Sequence, residues 1–334
     1  MIKLVFFLLL SVFTAVCSFG QTVSNVDAYQ EGKNIIITYD IDKLGFVDLV
    51  NCSTDGGCTW GAPLQHVSGD VNKQVPAGSH RIVWDVLSEH EKFEGANICF
   101  KVEVNSGKFT VNGVSFEMVR VEGGTFHMGA TSEQEGEAWD DEKPVHSVAL
   151  SSYYIGKTEV TQALWQAVMG SNPSYFKGSA LPVESVSWDD CQEFIQKLNR
   201  LTGRNFRLPT EAEWEFACRG GNNSRGYKYS GSNDIDNVAW YWDNSGGKTH
   251  PVGTKAPNEL GIYDMSGNVW EWCSDWYADY TSYSQTDHTG PQSGSGRVRR
   301  GGGWGYCARD CRSSNRDGRI PTYRIIHLGL RLVL

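Results

Sequence analysis

Basic charge is scarce in this chain of 334 residues: 30 lysines and arginines face 39 aspartates and glutamates, a formal net charge of −9. A nucleic-acid groove needs a basic face to displace the counterions of a phosphate backbone, so that class is excluded. Long apolar runs are missing too. Leu4 to Val16 spans thirteen residues, short of the roughly 20 a membrane-spanning helix requires. The eight histidines are scattered, with no pair at the spacing of a helix-borne metal site. Neither a Gly-x-Ser-x-Gly elbow nor a glycine-rich phosphate loop occurs, which removes the signatures of a serine hydrolase and of a P-loop nucleotide binder. What the chain does have is 37 glycines, 12 tryptophans and 40% hydrophobic residues. That suffices for a core and suits a turn-rich fold anchored by large aromatics. At about 150 residues per domain, the length predicts about two domains.

Residues 1–20 read as an export signal. Lys3 is the positive end, Leu4 to Val16 the apolar stretch, and Ser18-Phe19-Gly20 offers small residues before a cleavage point at Gln21. Val16 is too bulky a lead-in for lipidation at Cys17. The expected location is outside the cytoplasm: periplasmic, cell-surface or secreted. Eight cysteines would remain, Cys52, Cys58, Cys99, Cys191, Cys218, Cys273, Cys307 and Cys311, an even number that permits disulfides in an exported protein.

Residues 21–106 read as a small all-β sandwich of immunoglobulin or fibronectin type. Runs such as Asn34–Asp40, Phe46–Val50, His80–Asp85 and Asn97–Val104 are β-branched or aromatic, with turn signals between them. Cys52 and Cys58 flank the Asp55-Gly56-Gly57 turn and could face each other across a hairpin, with Cys99 competing for either. No catalytic cluster is evident here, and the segment reads as a spacer or docking module. After the Asn105-Ser106-Gly107 linker, residues 107–334 turn to glycine–aromatic turns and a few helices. One helix starts at Thr161, with Leu164, Trp165 and Val168 on one face, and Gly170 stops it. Ser187 caps another, with an inward stripe of Cys191, Phe194, Ile195, Leu198 and Leu201 and a stop at Gly203. Thr210 and Glu213 form a capping box. The acidic run Glu133–Glu142 reads as a solvated loop.

Nine segments then match one family in order: Phe126–Gly129, Pro144–His146, Tyr154–Thr161, Pro182–Trp188, Arg207–Glu215, Asn258–Asp264, Gly267–Trp272, Arg300–Trp304 and Gly329–Arg331. Over about residues 112–334 the chain resembles the sulfatase-modifying-factor, or formylglycine-generating-enzyme-like, domain. The resemblance implies an irregular α+β fold of C-type-lectin type following the β sandwich. It also implies an oxidase that converts a sulfatase cysteine to formylglycine, using oxygen and Cu(I) held by two cysteines. Soft thiolates do select monovalent copper.

The motif departs from that pattern. Gly303 of Gly301-Gly302-Gly303-Trp304 stands where those enzymes carry a serine, and Tyr306 stands where the first cysteine is expected. The candidate pair Cys307 and Cys311 is spaced by four rather than five. The resemblance also aligns Cys311 with a structural cysteine bonded to Cys218, Cys273 being a competitor for Cys311 or a partner for Cys307. It further implies Ca²⁺ at Asp264, Ser266, Gly267, Val269 and Glu271, and a second ion at Asn237, Val238 and Asp243, through hard oxygen ligands. The alternative for Glu271 is an arginine partner in the core. Two readings follow: a non-catalytic, calcium-stabilised binding or scaffold protein with a protein partner, or a formylglycine-generating oxidase acting on a sulfatase polypeptide. The displaced cysteines favour the first.

Overall fold

The structure, a computed structural model, describes residues 17–18 and 21–334 except 44, 72, 91–92, 94–96, 106 and 135. The export signal expected over residues 1–20 lies almost wholly outside the described residues. The chain forms two compact units, Met1–Ser106 and Gly107–Leu334.

The first unit contains β1 (Cys17–Ser18), β2 (Gln21–Glu31), β3 (Asn34–Ile41), β4 (Gly45–Ser53), β5 (Val67–Gly69), β6 (Lys73–Val75), β7 (Gly78–Trp84), the single turn α1 (Val86–Glu89) and β8 (Cys99–Asn105). Antiparallel pairing gives one sheet of order β1-β2-β3-β7-β5 and a second of order β6-β4-β8. Ile35, Ile37, Tyr39 and Ile41 of β3 share a core with Val47 and Val50 of β4 and with Phe100 and Val102 of β8. The fully buried Trp84 packs edge-on against Phe93 and Phe100, with ring centroids 5.0 and 6.0 Å away. Each such side chain removed from water contributes roughly 1.5–3 kcal/mol. The hairpin bridge expected between Cys52 and Cys58 is not formed; both are free thiols, as is Cys99. Side-chain hydrogen bonds close the turn instead. Gly57 N–H donates to Ser53 Oγ at 2.8 Å, and Asp55 takes the Thr59 N–H and hydroxyl at 2.9 and 2.6 Å.

The second unit begins with β9 (Lys108–Val111), β10 (Val114–Val121), β11 (Gly124–Met128), β12 (His146–Leu150), β13 (Tyr153–Gly156), α2 (Gln162–Met169), α3 (Trp188–Thr202), α4 (Glu211–Cys218) and α5 (Ile235–Val238). It ends with β14 (Trp270–Trp276), β15 (Gln285–Thr286), β16 (Arg297–Arg300), β17 (Arg316–Arg319) and β18 (Leu328–Leu330). Three small sheets have the orders β13-β10-β9, β11-β12-β15 and β17-β16-β14-β18. Local chemistry sets the helices. Thr161 and Ser187 accept the N3 amides of α2 and α3, and both helices end at left-handed glycines, Gly170 (φ 80°) and Gly203 (φ 67°). Cys191, Phe194, Ile195 and Leu198 are buried, whereas Leu201 in the last turn is 53% exposed and falls outside the stripe predicted for it.

Helix α4 has its Thr210–Glu213 capping box, yet every one of its residues is buried. Its glutamates survive burial by pairing: Glu211 with Arg300 and Arg316, Glu213 with Arg207, and Glu215 with Arg219 and Arg300. The same rule corrects the acidic run 133–142. Glu142 is wholly buried on Arg312 at 2.5 Å, and Glu133 meets Arg219, so that run is tied to the core.

Candidate functional site

Arg300 ends β16 and the chain turns through Gly301 (φ 98°) and Gly302 (φ 73°) into an exposed bend. Glycine is required at 302, where a Cβ would sit 2.6 Å from Cys311 Sγ and 2.9 Å from the Asp310 carbonyl. Trp304 N–H donates to Asn268 O at 2.8 Å and Tyr306 N–H to Gly303 O at 2.9 Å, which fixes the bend before a 3₁₀ turn at Ala308–Cys311.

The bend separates the two candidate copper ligands. Cys307 is exposed, and its thiol donates to Asp310 Oδ2 at 3.2 Å. Partial burial and then the Asp310 carboxylate push its pKa up. Cys311 is completely buried beneath Gly302, and burial, then Asp310, raise its pKa as well. Copper capture needs thiolates, and thiolates need nearby positive charge or hydrogen-bond donors. The donor set does not fit a dithiolate Cu(I) centre. The bridges implied by the resemblance are absent too: Cys218, Cys273, Cys307 and Cys311 are all free. Cys218 and Cys273 belong to the core cluster around Trp214 and Met265, whereas Cys311 belongs to a separate cluster with Tyr229, Val238 and Tyr241.

Tyr306 occupies the place expected of the first cysteine and makes contacts of its own. Its hydroxyl meets His327 Nε2 at 3.0 Å, and its ring stands edge-on to Trp270 at 5.4 Å. Burial, and secondarily Arg299, lower the His327 pKa to about 4. The ring is therefore neutral at pH 7 and shares one hydrogen bond with the Tyr306 hydroxyl. Arg299 lies beneath, bonded to Asp317 at 2.6 Å and stacked 4.5 Å over Trp270. Scattered histidines and arginines gave no sequence signal for this grouping.

The first calcium set lies along the turn into β14, and its key ligand is already committed. Glu271 accepts Trp214 Nε1 at 2.6 Å and three contacts from Arg331 nitrogens at 2.6, 2.9 and 3.1 Å. Four N–H contacts fill the roughly four lone-pair sites of a carboxylate. Ser266 Oγ donates to Cys311 O at 2.8 Å, and Val269 N–H reaches Glu159 Oε1 at 3.3 Å. Gly267 (φ 83°) is a close-approach glycine, with Trp240 O at 2.4 Å from a would-be Cβ. Asp264 accepts Gly253 N–H at 2.6 Å, and burial, then Glu271, raise its pKa to about 6. With Glu271 spent on Arg331, this donor set does not fit calcium as the resemblance implied. In the second set Asn237 donates to Asp234 and its carbonyl accepts Ala256 N–H, Val238 is buried, and Asp243 is exposed. Among the described residues no group of three His, Cys, Asp or Glu side chains is gathered for a metal.

Accessibility alternates in blocks across the C-terminal segment. Residues 301–303, 311–316 and 328–333 are buried, while 304–310 and 317–327 are all at least partly accessible. Beside them Tyr175 and Trp242 are 68% and 67% exposed. Phe176, next to Tyr175, stands edge-on to Trp304 at 5.6 Å, and Trp242 N–H donates to Tyr306 O at 2.9 Å.

Residues 106–334 match the sequence profile of the sulfatase-modifying factor enzyme 1-like domain. Over 241 residues the chain is 39% identical to the chaperone protein LppX of Paenibacillus barcinonensis, a match covering 57% of this chain and 79% of that protein. It is 31% identical over 283 residues to the formylglycine-generating enzyme of Streptomyces coelicolor, covering 64% and 87%. Among solved structures it is similar to Treponema denticola variable protein 1, at 38% identity and a TM-score of 0.62, over 68% of this chain and 97% of that one. PvdO from Pseudomonas aeruginosa superposes with a TM-score of 0.55 at 26% identity, with coverages of 68% and 97%.

Proposed function

We propose, on the premise that the chain belongs to the sulfatase-modifying factor enzyme 1-like family, that it is an exported, non-catalytic member that binds a protein partner. Its second unit has the family's irregular, C-type-lectin-like α+β fold. The observation that carries the reading is the bend at 301–311. Cys307 is exposed beside a carboxylate, Cys311 is sealed under Gly302, and Tyr306 fills the expected ligand position.

The two accessible stretches supply the binding surface. Trp304, Tyr306, Ile320 and Tyr323, together with Tyr175 and Trp242, make it aromatic and apolar, the composition of a protein-recognition patch. That relatives of comparable similarity are named a chaperone and a variable protein supports a binding role. In this reading Arg331 neutralises Glu271, so calcium is not needed there. The N-terminal β sandwich serves as a spacer or docking module. No helix among the described residues is long and apolar enough to cross a membrane.

The test is incubation of the full chain with a sulfatase-derived Cys-x-Pro-x-Arg peptide, Cu(I) and oxygen, read by mass. The peptide should return unmodified. Aldehyde formation that Cys307→Ser abolishes would establish the oxidase reading instead.

A further inference from the structure

A cavity of about 250 Å³ is lined by His146 at the start of β12, Asp275 of β14, Gln285 of β15 and His288. Met128, Trp276, Ala278 and Pro291 give it apolar walls.

Its polar groups are unevenly used. Asp275 is 2% exposed, and no lysine or arginine among the described residues forms an ion pair with it. Arg297 is the nearby candidate, but its guanidinium is sandwiched between Trp188 and Trp276, at 3.9 and 3.5 Å. Arg316 and Arg300 are spent on Glu211 and Glu215. Both hydrogen bonds to Asp275, from Glu211 N–H at 2.9 Å and Ser274 Oγ at 2.9 Å, go to Oδ2, which leaves Oδ1 free.

Two further acceptors are idle. Gln285 Oε1 is buried with no partner. His146 Nδ1 lies 3.0 Å from the Pro144 carbonyl, which assigns the ring proton to Nδ1 and leaves Nε2 an acceptor. Two of the donors at the wall are committed: Tyr280 O–H to Glu211 and the Arg316 nitrogens to Glu211, Asp141 and Ala278. A buried carboxylate without a counter-cation, beside two unpaired acceptors, calls for one positively charged group with several N–H bonds.

We propose that this cavity binds a small primary ammonium ligand, its three N–H bonds directed to Asp275 Oδ1, Gln285 Oε1 and His146 Nε2 and its short carbon chain resting on Met128 and Trp276. The exposed Asp279 at the lining adds negative charge that draws a cation in.

Calorimetric titration of the full chain with n-propylammonium chloride at pH 8, at constant ionic strength, tests this directly, with 1-propanol as the size-matched uncharged control. The amine should bind saturably and at least tenfold more tightly than propanol. Asp275→Asn and, independently, Gln285→Ala should each weaken it about tenfold or more, the scale of a charge-assisted hydrogen bond. Gln285 is on a short edge strand, so its variant keeps the test valid if Asp275→Asn folds poorly. Absence of saturable amine binding, equal affinity for propanol, or an affinity that neither variant changes would overturn the site.

Discussion

Replacing Asp275 by Asn should change how the stability of the second unit responds to pH. Asp275 is buried, and burial, followed by the charge of Glu211, raises its pKa from the ordinary 3.8 to about 7. Hydrogen bonds from Glu211 N–H and Ser274 favour the ionised form but do not outweigh burial. Because the folded value lies above the unfolded one, the folded state holds a proton that the unfolded chain has released between pH 4 and 7. Stability is therefore greatest below about pH 4 as far as this group is concerned, and falls as pH rises through 7. Each pKa unit is worth about 1.4 kcal/mol, so wild type should lose roughly 3 kcal/mol between pH 5 and pH 8 through Asp275 alone. For a unit of this size that is about 6–12 °C in melting temperature. Asn keeps the acceptor for Glu211 and Ser274 and cannot ionise. The difference between the pH slopes of wild type and Asp275→Asn isolates this group, since every other titrating residue is shared. Thermal melts at pH 5, 6, 7 and 8 supply the slopes. Parallel curves for the two proteins would refute the reasoning. Saturating propylammonium should flatten the wild-type curve between pH 5 and 7, because a bound cation favours the ionised carboxylate in the folded state and brings its pKa back towards the unfolded value.

The other expectations follow from the bend and the buried pairs. Cys307→Ser should melt with wild type, and neither protein should bind stoichiometric Cu(I), which a copper titration followed by gel filtration reports. Glu271→Gln should cost about 3–5 kcal/mol in a denaturant titration, because it leaves Arg331 buried without its charge partner. A calcium chelator should leave the wild-type melt unchanged; a drop on chelation would restore the calcium site that Arg331 replaces in our reading. His327 is held neutral to about pH 4, so stability it contributes above pH 6.5 should fade as pH drops through 4. His327→Gln should accordingly show a shallower acid limb in melts from pH 7 to 4.

The helices of the second unit were legible residue by residue, because caps and left-handed glycines act locally: Thr161 and Gly170, Ser187 and Gly203, and the Thr210–Glu213 box. What resisted reading depended on partners far along the chain. Glu211 and Glu215 look like a solvent face until Arg300 and Arg316, 89 and 105 residues from Glu211, arrive to neutralise it. For Glu271 the resemblance implies a calcium ligand and the residue type an arginine partner in the core; the structure supplies the arginine, Arg331, 60 residues away. The acidic run at 133–142 was misread because Arg312, which buries Glu142, follows it by 170 residues. The expected β runs were visible in outline, but β2, β5 and β6 carry too little alternation or length to mark themselves. The cavity acceptors His146, Asp275 and Gln285 follow no periodicity at all, since three separate strands contribute them.

The division of the C-terminal segment into buried and accessible blocks bears on how this fold can vary at residues 304–310. The buried blocks and the end of β16 just before them carry Arg312, Arg316, Arg331 and Arg300, each clamped to a carboxylate far along the chain. A desolvated ion pair gives little net stability. It does penalise misregistry heavily, because a shift by one residue would strand a charge. The arginines therefore set the register of β16, β17 and β18, and the intervening residues need only span between fixed points. Residues 304–310 and 317–327 are those spans, tied to the rest through Asp317 on Arg299, Arg324 on Asp190 and Arg309 on the Glu137 carbonyl, and to each other through Tyr306 and His327. Selection on the spans is then largely uncoupled from selection on the framework. A cysteine can be displaced by one position, or replaced by Tyr306, while the clamps hold. The prediction that Cys307→Ser leaves melting unchanged is one instance of this uncoupling. Arg312→Ala, which breaks the Glu142 clamp together with one bond to the Arg309 carbonyl, should instead destabilise the unit by the several kcal/mol that an uncompensated buried carboxylate costs. Equal destabilisation by Cys307→Ser and Arg312→Ala would mean that the spans and the framework are one cooperative structure after all.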